Sequence, residues 1–128
     1  MATDSTAPPP PVAEPPPPSP QTLPPPTLHE AELASGLSGI VYWAAEIDFS
    51  AAVARRQAGE NIVVRGDDLK ANRALAERIE VAVGPHKRGV PHKIRAGPYA
   101  LPHFQQVDPQ HKGHCFYETP NRRSRKKP

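Results

Sequence analysis

Nineteen prolines interrupt this chain, and most of them crowd into residues 8–26. Proline has no N–H to donate and its ring fixes φ, so that stretch is closed to helix interiors and to sheet ladders. It is expected to run as extended polyproline II, serving as a spacer or as a ligand for a proline-reading module. Residues 1–27 are therefore read as a disordered proline-rich linker. Roughly 100 residues remain for folding, which allows one small domain.

Charge is divided along the chain. Residues 1–59 carry two basic side chains against six acidic ones, a net of −4. Residues 60–128 carry fourteen against seven, a net of +7, and the two halves give the overall +3. A basic C-terminal half favours polyanions: nucleic acid first, then an acidic partner protein or a membrane surface. The ending NRRSRKKP reads as a basic disordered tail over residues 121–128. One cysteine, Cys115, excludes a disulfide within the chain. The start, MATDSTAPPPP, has neither a charged n-region nor an apolar h-region, so no cleavable signal peptide is expected. No apolar run reaches membrane-spanning length, so no membrane partner is expected. The chain is read as cytoplasmic, or as delivered into a target cell without a signal peptide.

Residues 28–58, rich in Ala, Glu and Leu, favour helix, with Gly36 and Gly39 splitting a first helix from a second. Asp48 or Ser50 is expected to cap a further helix over residues 51–57, which Gly59 ends. Trp43 and Tyr42 are read as core. ENIVVRG is the clearest strand, its Ile-Val-Val run closed by Gly66. Asp67 or Asp68 then caps a helix stopped by Gly84-Pro85. Leu69, Asn72, Leu75, Ala76, Ile79 and Val83 share one face of it, and Lys70, Arg73, Glu77 and Glu80 form the solvated face. Residues 84–98 read as a loop. Two short extended pieces come next, residues 99–106 and 114–118, separated by a turn at Asp108-Pro109 and pairing as a hairpin. Alternation places His114 and Phe116 on one face, with Cys115 and Tyr117 on the other. The fold class is α+β: N-terminal helices, one strand–helix unit and a small antiparallel sheet behind the proline-rich segment. The divisions are a helical segment at residues 28–58 and an α+β domain at residues 59–120.

Four of the six histidines, His92, His103, His111 and His114, fall between Pro91 and Glu118. Imidazole can accept a proton, donate one as imidazolium, or bind a metal when neutral. The leading reading is acid–base cleavage of a phosphodiester, which needs a base, an acid and cations for the charge growing on phosphate. His103 and His114 suit the two proton-transfer roles, and Lys93 and Arg95 are candidate phosphate ligands. That chemistry on RNA needs no metal, and no cofactor is expected. The competing metal reading uses His103, His111, His114 and Cys115, but their spacing matches no standard zinc pattern. His111 is assigned to a turn, and His29 and His86 to the surface. Cys115 carries no sign of a lowered pKa that would make it a nucleophile.

The succession GENIVVRGDDLKANRALAERIE, then AGPYALPHFQ, then GHCFYE and a basic end resembles the C-terminal toxin domains of bacterial polymorphic toxins, the kind carried by RHS/YD-repeat proteins. The resemblance covers about residues 55–127. It implies a nuclease, often a metal-independent RNase, released into a competing cell and countered by an acidic immunity protein. It also implies that His92, His103 and His114 are the matching histidines, with Arg65 and Asn72 in its strand–helix part; Arg65 is taken as a candidate phosphate ligand, and Asn72 and Tyr117 as candidate site-lining residues. No RHS repeat precedes this domain, as in an orphan copy. The rival expectation is a non-catalytic basic module that binds nucleic acid or an acidic partner.

Overall fold

The structure is a computed structural model, and it describes residues 23–35, 38–89 and 99–128. His92, Lys93, Arg95, Gly36 and most of the proline-rich segment lie outside the described residues. The α+β expectation holds at the level of class: among the described residues, two helices pack on one mixed sheet of seven strands. In chain order these are β1 Thr27–Leu33, β2 Val41–Ile47, α1 Phe49–Gln57, β3 Ile62–Arg65, α2 Leu69–Val83, β4 His86–Gly89, β5 His103–Gln106, β6 Cys115–Tyr117 and β7 Arg125–Lys126. Across the sheet they run β4-β5-β6-β3-β1-β2-β7. The β3–β6 and β2–β7 pairs are parallel and the remaining pairs antiparallel. The sheet is thus neither small nor purely antiparallel.

The helical expectation for residues 28–47 is overturned. They form the β1–β2 hairpin, with Ala31 opposite Trp43, Leu33 opposite Val41, and a register shift between His29 and Ala31. Helix propensity is a weak prior, and the β3 edge supplies β1 with a ladder that an isolated segment lacks. Gly39, at φ 76°, serves this turn rather than separating two helices. With β1 paired to β3 inside the sheet, residues 28–58 and 59–120 share one sheet and one core. The basic end is not a free tail either: β7 adds to the outer edge of β2, and Lys127 pairs with Glu32.

The helix-capping and hairpin expectations survive. Asp48 caps α1 through Ala51 N–H, and Asp68 caps α2 through Lys70 and Ala71 N–H, each satisfying donors the first turn leaves open. The 99–106 and 114–118 pieces pair as β5 and β6, and β4 adds to the far side of β5 where a loop was expected.

One face of the sheet packs on both helices. Leu28, Ile62, Val64, Phe104, Cys115 and Tyr117 meet Ala52 of α1 and Ala76 and Ile79 of α2. Glu80, assigned to the solvated face, is instead fully buried with Arg56 of α1. Arg56 Nε and Nη2 donate to the two Glu80 carboxylate oxygens at 2.9 Å each, while Nη1 donates to the carbonyls of Glu60 and Lys112 at 3.0 Å. Gln106 Nε2 also donates to Glu80. A single buried cluster therefore ties α1, α2, β5 and the turn before β6.

The opposite face carries a second core of Ala31, Val41, Val63, Leu101 and Phe116, with Trp43 against it, as expected for that indole.

Candidate active site

Period-two alternation decides what shares the helix-free face. On β6, Phe116 belongs to the second core, so His114 and Glu118 point to the same side. Phe104 of β5 packs on the helices, which turns His103 and Gln105 to the helix-free side. Lys87 of β4 stands opposite Gln105, and Gly89 stands opposite His103. Register thus gathers Lys87, His103, Gln105, His114 and Phe116 at one end of one face.

His103 and His114 meet edge to face, with ring centroids 4.5 Å apart. Phe116 sits beside both, at 5.7 Å from His103 and 5.4 Å from His114. The His103 ring lies over Gly89, where a Cβ would run into it. The His114 backbone is held from both directions, its N–H donating to Asn61 Oδ1 at 2.8 Å and its carbonyl accepting from Ile62 N–H at 3.2 Å.

The two imidazoles stand in different environments. Burial lowers the pKa of His103 from 6.5, while hydrogen bonds to Gln105 and to the Leu101 backbone oppose that shift. With the Gln105 side-chain oxygen 3.0 Å away, His103 Nε2 is the protonated, donating nitrogen. Burial likewise lowers His114, with His103 and the Arg56 cation adding to the effect, to about 4. Its Nδ1 is buried with no hydrogen-bond partner. Both rings therefore resist protonation, and His103 alone has hydrogen bonds that oppose the shift.

A cleft of about 250 Å³ opens beside His114, lined among others by Lys87, Gln105, Asp108, His111 and Lys112. Lys87 and Lys112 are exposed cations on its walls. Sequence reasoning missed both lysines. Lys87 lay in an expected loop, and only its register opposite Gln105 brings it to the histidines. His111 keeps its assignment to a turn: its Nε2 donates to the Arg56 carbonyl at 2.6 Å, fastening the turn to the end of α1.

Other expected site residues stand elsewhere. Tyr117 is buried on the helix side of the sheet, where desolvation raises its pKa, so it does not line the histidine cleft. Asn72 is fully buried and bolts α2 to the sheet, its Nδ2 donating to the carbonyls of Gly66 and Glu118 at 2.9 Å. Arg65 shares the helix-free face but lies level with Glu118, beyond the strand end opposite to His114. His29, expected at the surface, is buried; its Nδ1 donates to the Ala44 carbonyl and its ring packs on Trp43. The Cys115 thiol is buried against the Ala76 carbonyl, and burial pushes its pKa well up, which leaves it a poor nucleophile. Among the described residues, no three His, Cys, Asp or Glu side chains converge as a metal site would require. Nor is any described helix long and apolar enough to cross a membrane.

Compared with protein-family models, with curated proteins and with solved structures, the chain matches none.

Proposed function

We propose that this chain is a toxin-type nuclease domain that cleaves RNA without a metal, using His103 and His114 as its acid–base pair. The observation that carries the reading is the 4.5 Å contact between two imidazoles in unlike environments, beside a cleft walled by Lys87 and Lys112. Burial lowers both rings, but hydrogen bonds to Gln105 and the Leu101 backbone oppose the shift at His103 alone, which divides the pair into a base and an acid. His114, neutral above about pH 4, is the base that takes the 2′-OH proton. The 2′-oxygen attacks phosphorus, the bond to the 5′-oxygen breaks, and His103 returns a proton to that leaving oxygen. The products are a 2′,3′-cyclic phosphate and a free 5′-OH. Lys87 and Lys112 offset the charge gathering on the phosphoryl oxygens. Delivery into a competing cell and an acidic immunity partner belong to the same reading and rest on the sequence resemblance.

Cleavage of a defined single-stranded RNA by the purified chain tests the assignment. His103→Ala and His114→Ala should each lower the rate by about 100-fold or more, chelator should not, and a 2′-deoxy linkage should resist. Because burial holds His103 below 6.5, activity should already fall as pH rises toward 6.5 and should peak on the acid side of it. Full activity in either alanine variant would sink the proposal.

A non-catalytic basic module is favoured instead by the buried, partnerless Nδ1 of His114, which reads as a packing residue. That reading predicts salt-sensitive RNA binding that both alanine variants retain.

A further inference from the structure

A second polar site lies on the same face of the sheet, and it is built around Arg65. Its guanidinium is fixed on two sides: it stacks over the Trp43 ring with 4.1 Å from Cζ to the centroid, and its Nε donates to Glu118 at 3.2 Å. Glu118 is itself anchored, fully buried and accepting from Ser124 N–H at 2.9 Å, from the Ser124 hydroxyl and from Arg123 Nη1. Among the described residues, neither Nη of Arg65 has a hydrogen-bond partner. A cleft of about 270 Å³ opens beside it, lined also by Pro25, Thr27, Gly66, Asp67 and Arg123. The arrangement is a guanidinium fork already paid for in conformational freedom, with its two outer nitrogens uncommitted.

The charges of this site specify its ligand. Arg65 and Arg123 balance Glu118 and Asp67, with Arg123 bonded to both acids, so the uncommitted fork suits one negative charge better than two. A phosphodiester carries one; a terminal phosphate carries nearly two. The basic end of the chain supplies the surrounding positive field, since β7 is docked on the sheet and Arg125 stacks on Tyr99. Along β6, His114 and Glu118 are four positions apart, about 13 Å at the strand repeat. That distance is too long for one nucleotide at both sites and suits a short single strand laid between them.

We propose that the Arg65 cleft is a remote phosphodiester subsite that grips single-stranded nucleic acid whose reacting linkage lies at the histidines. The inference rests on the nucleic-acid reading of that pair, but its test does not use cleavage. Oligonucleotides of 2′-O-methyl RNA lack the attacking hydroxyl, so their binding to the full chain can be measured at equilibrium. A hexanucleotide should bind more tightly than a dinucleotide. Arg65→Gln should weaken the hexanucleotide roughly ten-fold and reduce the slope of log K against log salt by about 0.7, leaving the dinucleotide unchanged. Arg65→Lys keeps the charge without the fork and should recover only part of the loss. Both variants should retain the melting temperature within a few degrees, because Glu118 keeps Ser124 and Arg123. An equal loss for both lengths, no loss for either, or equally tight Arg65-dependent binding of an acidic peptide would overturn the subsite. Cleavage that failed while the length-dependent binding persisted would instead remove the nuclease reading alone.

Discussion

The Arg56–Glu80 pair offers the sharpest test of what holds this fold together. Both side chains are fully buried, and their two 2.9 Å hydrogen bonds form a bidentate fork. Glu80→Gln keeps the shape but leaves the guanidinium charge uncompensated in the core. Breaking one half of a buried pair costs about 3–5 kcal/mol, because the surviving charge has lost both water and partner. Domains of this size hold only about 5–15 kcal/mol in total, so the variant should sit near the edge of folding. At roughly 4–8 °C per kcal/mol, melting should fall by some 12 °C or more. Arg56→Met strands the carboxylate in the core instead, and should cost a comparable amount. The double replacement Arg56→Met with Glu80→Leu removes both charges and should recover most of the loss. Urea titrations followed by circular dichroism give all three values and the coupling energy between the sites. A loss below about 1 kcal/mol for Glu80→Gln, or a double variant as unstable as the sum of the singles, would refute the reasoning.

His114 carries its own pH signature. A histidine held near 4 in the folded state and near 6.5 when unfolded makes the unfolded chain bind more protons between those values. Its contribution is complete above 6.5 and is lost as pH falls toward 4; His114→Phe should flatten that part of a stability–pH curve measured in urea, and an unchanged curve would contradict the assignment. Gly89→Ala would push a Cβ into the His103 ring, so a cost of about 1–3 kcal/mol should accompany a displaced His103 signal in the NMR spectrum. Unaltered His103 resonances and melting would mean that the ring does not lie over Gly89.

Much of the local structure was legible without coordinates. Asp48 and Asp68 announce helix starts by chemistry confined to three or four neighbouring residues. The Ile-Val-Val run of β3 and the alternation in GHCFYE are equally local, and the placing of His114 with Phe116 followed from period two alone. Segments whose state depends on a distant partner were misread. Residues 28–33 favour helix in isolation, and the β3 edge makes them a strand. Glu80 looked solvated on a helical wheel because its partner, Arg56, stands on another helix. β7 looked like a tail because the edge that receives it, β2, is more than seventy residues away.

The same division runs through the candidate site. By itself, the sequence determined that proline crowds the N-terminal stretch, that positive charge gathers in the second half, and that His103 and His114 are the histidines set among apolar neighbours. Those properties depend on composition and on short-range stereochemistry. Tertiary structure alone decided that the two rings touch, that Lys87 and Lys112 wall the cleft beside them, that Tyr117 and Asn72 serve the core, and that Arg65 heads a separate cleft on the same face. Strand register is the physical reason. It pairs residues by ladder geometry rather than by sequence distance, and a slip of one position would send the strand-borne side chains among these to the other face.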